Sequence, residues 1–315
     1  MKKLKRYVYN WEPFERKIVR LILCRKQLSC FFSQHCLKLY LRMFYFNWQN
    51  KHIHYRHPQD LNQWLLKTSW LNSENSQMRE LIPQCVDKYA VREYIAQKGY
   101  ADTLNECYGV YERVEDIDFN SLPQQFVMKM TNASGRNYIC TDKSKCDWQK
   151  VSARFAEWLK DNTFGWQSGE WQYALIKPRI VVEKFLENLG ESSLIDYKFN
   201  VINGKVYSCF VAYNRDNDDA HSSQVCFDDY DIDWNRTDAI KDNWHINRKL
   251  IAKPKSYDRM VQMAEICCKD FPFCRFDVYE IDGNILFGEM TFTPQGNVLE
   301  FYKDEWLRNA LQATE

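Results

Sequence analysis

The 315-residue chain contains no run of 18 uncharged apolar residues, so no segment is expected to cross a bilayer as a helix. Its start, MKKLKRYVYNWEPFERK, has no apolar core of the signal-peptide kind, and a cytoplasmic protein is the expectation. Internal repeats and low-complexity tracts are absent. None of the twelve cysteines makes a C-x-x-C spacing, which removes the usual zinc motifs. Cys24, Cys30 and Cys36 recur every six residues, as do Cys140 and Cys146. A 38.0 kDa chain has no need of a disulfide scaffold, so reduced, mostly buried thiols are expected. There is no G-x-x-x-x-G-K-[ST] stretch, which excludes a P-loop, and no Ser/His or Cys/His pair stands out as a nucleophile. His52, His54 and His57 read as a basic surface loop rather than a metal site.

What is present begins with charge. A net charge of +1 hides an asymmetry: residues 1–56 carry 13 Lys/Arg against two Glu, and the remainder carries 30 basic and 40 acidic residues. A basic amphipathic arm on an acidic body points to a polyanion such as a membrane surface or acidic glycan, or to an arm that packs across the body itself. An apolar content of 45% with 16% aromatics argues for a folded core.

Periodicity predicts one or two helices over 14–48, then a helix from Asp60 to Leu71 and another from Lys88 to Lys98 behind an Asp87 N-cap. Gln125–Met130 and Asn137–Cys140 read as strands flanking the polar turn Thr131–Arg136, and Asp147–Asp161 as a helix. Pro178–Leu186 reads as a buried strand. Leu194–Ile202 and Lys205–Tyr213 read as a hairpin around Asn203-Gly204. Asn214–Asn243 is acidic and irregular, and Lys255–Lys269 is helical. The order predicts an α+β protein with antiparallel pairing.

The richest stretch is CRFDVYEIDGNILFGEMTFTP (274–294). Read with period 2, Arg275, Asp277 and Tyr279 share a face of one strand, and Glu289, Thr291 and Thr293 a face of the next. Phe276, Val278, Leu286, Met290 and Phe292 fall on the apolar face, and Asp282-Gly283 supplies the turn. An odd loop or one bulge would set Asp277 opposite Glu289, where two carboxylates need a cation, Mg²⁺ being the simplest. An ordinary hairpin with a solvent-facing polar side has the same alternation. Lys129 followed by Ser134-Gly135 suits phosphate, and Ile180–Val182 running into Glu183 suits a flat base. Asp196 and Lys198 alternate on one face, offering a carboxylate for hydroxyls and a cation for phosphate.

These segments, with HPQDLNQW (57–64), DKYAVREYI (87–95), FVMKMTNASGRNYIC (126–140), IKPRIVVEKFL (176–186), DYKFNVINGK (196–205) and YDIDWN (230–235), resemble the TupA-like branch of the ATP-grasp superfamily. The resemblance implies two α+β subdomains whose antiparallel sheets grip ATP, with 124–315 as the nucleotide-binding and catalytic region. Residues 57–123 would form a helical region before it, and 1–56 a basic helical arm. It implies that Lys88 and Lys129 hold nucleotide phosphates and that Ser134 and Gly135 close over them. Glu183, Lys184 and Phe185 would form the adenine hinge, and Asp196 the ribose-side acid. Asp277, Glu289 and Thr291 would hold Mg²⁺, with Arg275 and Lys198 catalytic at the phosphoryl group. Thr291 stands where the superfamily often has Asn, and Ala133 where relatives tend to have Gly. Asp231, Trp234 and Arg215 are candidates to line an acceptor pocket, although Asp231 and Asp233 also read as a glycosyltransferase metal motif. The implied activity joins an amino acid or other amine to a sugar carboxylate of a cell-surface polysaccharide through an acyl phosphate. A kinase acting on a glycan hydroxyl and a non-catalytic nucleotide binder remain alternatives. No nucleic-acid partner is expected, and residues 1–56 could bring the protein to the inner face of the cytoplasmic membrane.

Overall fold

Apolar side chains at three- and four-residue intervals make the N-terminal helices, which form as three segments rather than one. The structure, a computed structural model, describes residues 12–186, 194–213, 225–244 and 250–315. It divides the first stretch into Glu12–Cys24 (α1), Lys26–His35 (α2) and Leu37–Gln49 (α3), breaking at Arg25 and Cys36. The breaks bring α3 and Val19 of α1 into the core but leave Phe14, Ile18 and Leu21 of α1 and Leu28 and Phe31 of α2 exposed. On α3, Tyr40, Leu41, Tyr45 and Phe46 are buried and pack with Leu66 and Val298 or with Val19.

Asp60 starts Leu61–Glu74 (α4) by accepting the Gln63 N–H at 2.9 Å. Asn75 does the same for Ser76–Val86 (α5) through Met78 N–H. Asp87 caps as expected, accepting from Tyr89 and Ala90, but the regular helix is shorter than the sequence suggests, Val91–Gln97 (α6). Its first turn is closed by three-residue bonds, Arg92 N–H to Tyr89 O and Glu93 N–H to Ala90 O.

Cys107–Tyr111 (β1), Phe126–Met130 (β2), Asn137–Cys140 (β3) and Ile180–Lys184 (β4) form an antiparallel sheet in the order β1-β4-β2-β3. Trp148–Lys160 (α7), capped by Asp147, covers one face, where Phe126, Met128, Met130, Ile180 and Val182 meet Val151 and Phe155. Period 2 then turns Lys129 and Glu183 to the other face. Two short helices, Phe164–Ser168 (α8) and Trp171–Ala174 (α9), lie between α7 and β4.

The second sheet contains Asp196–Ile202 (β5), Lys205–Tyr213 (β6), Cys226–Tyr230 (β7), Phe273–Ile281 (β8) and Asn284–Thr291 (β9), ordered β7-β6-β5-β8-β9. Tyr257–Cys268 (α10) packs on Tyr197, Phe199, Phe276 and Val278, leaving Asp196, Lys198, Arg275 and Asp277 on the opposite face. Asp304–Gln312 (α11) closes the chain beside α4. β7 lies in a stretch that reads as irregular because CFDDY has no strand-like alternation. It forms because the buried Asp228 and Asp229 find partners: Arg236 at 2.6 Å and Tyr213 at 2.9 Å for the first, Ser208, Thr237 and Tyr302 for the second.

The β8–β9 hairpin turns on Asp282 (φ 52°) and Gly283 (φ 78°), the two positive-φ residues of a two-residue turn. Asp277 pairs with Glu289, while Val278 pairs with Phe287, so Gly288 is the extra residue of a bulge. A side chain there would put its Cβ 2.9 Å from Asp277 O, which requires glycine. The bulge also corrects one expectation: it reverses the phase of β9 on the turn side, so Ile285 and Phe287, not Leu286, join the core. Leu286 instead pairs with Tyr279 and faces the cleft.

Candidate active site

Two cavities that share Leu104, Asn105 and Leu186 lie between the sheets. The deeper one, about 320 Å³, is lined by Lys88, Lys129, Ser134, Gly135, Glu183, Lys198, Asp277 and Glu289, with Arg92, Arg136 and Tyr279. The other, about 600 Å³, is lined by Tyr108, Lys184, Phe185, Ile281 and Leu286, a flatter and more apolar surround.

Arg275, which lines neither cavity itself, is held against both facing carboxylates. Its Nη2 lies 2.8 Å from Asp277 Oδ2, 3.1 Å from Glu289 Oε1 and 3.2 Å from Thr291 Oγ1, and its Nε is 2.8 Å from Asp277 Oδ1. Lys198 Nζ approaches Asp277 at 2.5 Å and Asp196 at 3.4 Å. Burial disfavours the Glu289 carboxylate, yet Arg275, Lys88, Lys198 and Lys129 outweigh it and hold its pKa down at about 2. Burial likewise works against the Arg275 cation, but Asp277 and Glu289 raise its pKa above the ordinary arginine value. Lys88, deep in the cleft wall, has its pKa lowered by burial although Glu289 opposes the shift. Its ammonium donates to Ala133 O at 2.6 Å, tying it to the Thr131–Arg136 turn, where Gly135 has φ 70°. Lys129 pairs with Glu183 at 2.8 Å, and Arg92 reaches the same carboxylate at 3.4 Å.

The donor set fits a nucleotide with Mg²⁺. Among the described residues no group of three or more His, Cys, Asp and Glu is placed to hold a metal. Asp277 and Glu289 with the Thr291 hydroxyl are instead the sparse oxygen set that suits Mg²⁺, whose remaining positions go to water and phosphate. Lys88, Lys129 and Lys198 supply the positive charge that phosphates need.

Asp231 and Trp234 line neither cavity. Asp231 accepts the N–H groups of Asp233 and Asn235 in its own turn, and Trp234 stacks on Tyr230 at 4.3 Å. Arg215 lies outside the described residues. Arg92, Tyr108 and Leu104 line the cavities although sequence reasoning does not single them out as site residues. Arg92 stands four residues after Lys88, a helical spacing that could have flagged it, whereas Tyr108 lies within, and Leu104 just before, a short strand with no pattern of its own.

The family model for TupA-like ATPgrasp matches residues 66–311. No curated protein matches the chain in sequence. Among solved structures, it is similar to D-alanine–D-alanine ligase from Bacillus anthracis (15% identity, 72% of this chain and 62% of that one, TM-score 0.44). It is also similar to the D-cycloserine synthetase DcsG (16%, 74% and 70%, TM-score 0.41) and to L-amino acid ligase from Bacillus licheniformis (13%, 76% and 50%, TM-score 0.44). The chain thus spans about three fifths of the D-alanine–D-alanine ligase it matches. With a family match over most of its length and a two-sheet cleft carrying the charges that MgATP requires, the chain belongs to the TupA-like ATP-grasp family.

Proposed function

We propose that the protein is an ATP-dependent carboxylate–amine ligase that joins an amino acid or other amine to a sugar carboxylate of a cell-surface polysaccharide. The observation that carries this reading is the Asp277–Glu289 pair, bridged by Arg275, with Lys198 beside Asp277 and with Lys88 and Lys129 lining the same cavity. A carboxylate attacking a γ-phosphoryl group brings negative charge onto negative charge, and positioned cations lower that barrier. Bound at Asp277 and Glu289, Mg²⁺ would supply bridging and neutralisation of phosphate oxygens. Lys88 and Lys129 hold phosphates, Arg275 steadies the acyl oxygens, and Lys198 holds Asp277 in place. No side-chain nucleophile is needed. The apolar lining around Phe185 and Leu286 suits the base. The test is ADP formation with carboxylate and amine supplied separately and together. Inorganic phosphate released only with both supports ligation; phosphate retained on the acceptor makes the protein a kinase instead.

We further propose that the basic helices meet an anionic membrane or glycan on the cytoplasmic side. Phe14, Ile18, Leu21 and Phe31 are exposed on α1 and α2, beside exposed Lys17, Arg20, Arg25 and Lys26. Among the described residues no helix is long and apolar enough to cross a membrane.

A further inference from the structure

Around the deeper cavity, Glu183, Asp196, Asp277 and Glu289 each have a basic partner. Glu183 has Lys129, Asp196 and Asp277 have Lys198, and Glu289 has Arg275. Glu170, set behind the lining residues at the end of the face that carries Glu289, does not: among the described residues it makes no ion pair. It lies in electrostatic reach of Glu289 and Lys88, and part of its surface stays open. It precedes α9 without capping it. Its Oε1 accepts from Thr293 Oγ1 at 2.7 Å, and Thr293 continues the β9 face that carries Glu289 and Thr291.

The hydroxyl of Thr293 has one proton, spent on Glu170, so its other partner must donate. That partner is Gln172 Nε2 at 2.7 Å. The amide orientation follows, and it leaves Gln172 Oε1 a buried acceptor without a donor. A charged acceptor and a neutral one therefore stand together beside the Glu289 and Thr291 face, and among the described residues no cation comes within ion-pair distance of Glu170, Lys88 acting on it only from farther off. The backbone beneath is clamped: Tyr40 donates to Gln167 O at 2.7 Å, Trp171 Nε1 to Ser69 O at 3.1 Å, and Gly169 (φ 73°) lies against the Tyr40 ring. Such a segment holds a carboxylate in one place.

Resting on the ligase reading, we propose that Glu170 is the binding residue for the amine substrate, taking a primary ammonium as its missing counter-ion. The ammonium gives one proton to Glu170, and the freed nitrogen lone pair attacks the acyl-phosphate carbon. The carbon–oxygen bond to phosphate breaks, and the second nitrogen proton leaves with the phosphate. The elevated pKa of Glu170, raised by burial with Glu289 adding to it, suits a group that must hold that proton briefly.

The test separates the two half-reactions. Hexuronic acids and the protein amino acids are offered to the full chain with MgATP and hydroxylamine, an uncharged nucleophile at neutral pH, and acyl hydroxamate is measured. Amide formation is then measured with the carboxylate that reacts and a panel of amino acids. Glu170→Gln keeps an acceptor for Thr293 and removes the charge. It should form hydroxamate within about twofold of wild type while the amine KM rises about 10- to 100-fold, the range of one charge-assisted bond. Glu170→Asp should recover part of the loss. A wild-type amine KM in Glu170→Gln overturns the proposal, as does loss of hydroxamate with ATP binding intact. If Glu170→Gln does not fold, an unchanged amine KM in Glu170→Asp overturns it instead. Wild-type protein that forms hydroxamate from none of these carboxylates overturns the ligase reading, and this proposal with it.

Discussion

Asp277 and Glu289 differ in what surrounds them, and their removal should have different costs for the fold. Asp277 is buried and bound by Arg275 and Lys198, whereas the Glu289 side chain is 42% exposed. Asp277→Asn and Glu289→Gln should both abolish Mg²⁺-dependent ADP formation. Asp277→Asn should also lower the melting temperature more than Glu289→Gln does, because it leaves the buried Lys198 and the half-buried Arg275 short of a partner. Turnover near wild type in both variants would remove the metal assignment. A second carboxylate predicts a pH effect. Burial raises the pKa of Asp229 from 3.8 to about 7, even though Ser208, Thr237 and Tyr302 donate to it. A raised carboxylate pKa means that the folded state holds the proton better than the unfolded one. The stabilisation is therefore complete below about pH 4 and lost as pH rises to 7, by at most about 4 kcal/mol. Asp229→Asn should flatten that part of the stability curve, read from melting temperatures of both proteins between about pH 5 and 8. An identical slope in the variant refutes it.

At the scale of elements, the β8–β9 hairpin depends on one glycine. The bulge at Gly288 sets Asp277 across from Glu289, and a Cβ there would collide with Asp277 O. Gly288→Ala should cost about 1–3 kcal/mol and shift Glu289 out of register. Its signature is loss of Mg²⁺-dependent turnover well below the variant's melting temperature; full activity would show that the facing pair is not needed. The turn residues Asp282-Gly283 were legible in the sequence, as was the Asn203-Gly204 hairpin, because two-residue turns demand those types. β7 was not. Its strand is held by hydrogen bonds from Ser208, Tyr213, Thr237 and Tyr302, residues that only the folded sheet brings together.

For the whole molecule, the basic arm has two faces with different tasks. α3 buries Tyr40, Leu41, Tyr45 and Phe46, so removing residues 1–56 would open the core and say little about surfaces. Replacing exposed Ile18, Leu21 and Phe31 together by Ser should leave melting and ATP binding unchanged. It should reduce sedimentation with anionic vesicles, and the remaining binding should fade with salt, since each basic residue contributes roughly 1 kcal/mol at such a surface. Sedimentation equal to wild type at low salt would end the membrane reading. The sequence by itself determined the features set by local chemistry and spacing: the helices, the hairpin turns, the family motifs, and the strand faces that carry Asp277, Glu289, Lys129 and Lys198. Tertiary structure decided what depends on distant partners. It placed Gly288 rather than the loop as the device that aligns the carboxylates, moved Leu286 to the cleft, and left Glu170 without an ion pair among the described residues, beside the strand end that carries Glu289. Period and turn chemistry act over a few residues. The pairing of a charge, or its lack, depends on groups brought together by folding, as Thr293 meets Glu170 across 123 positions.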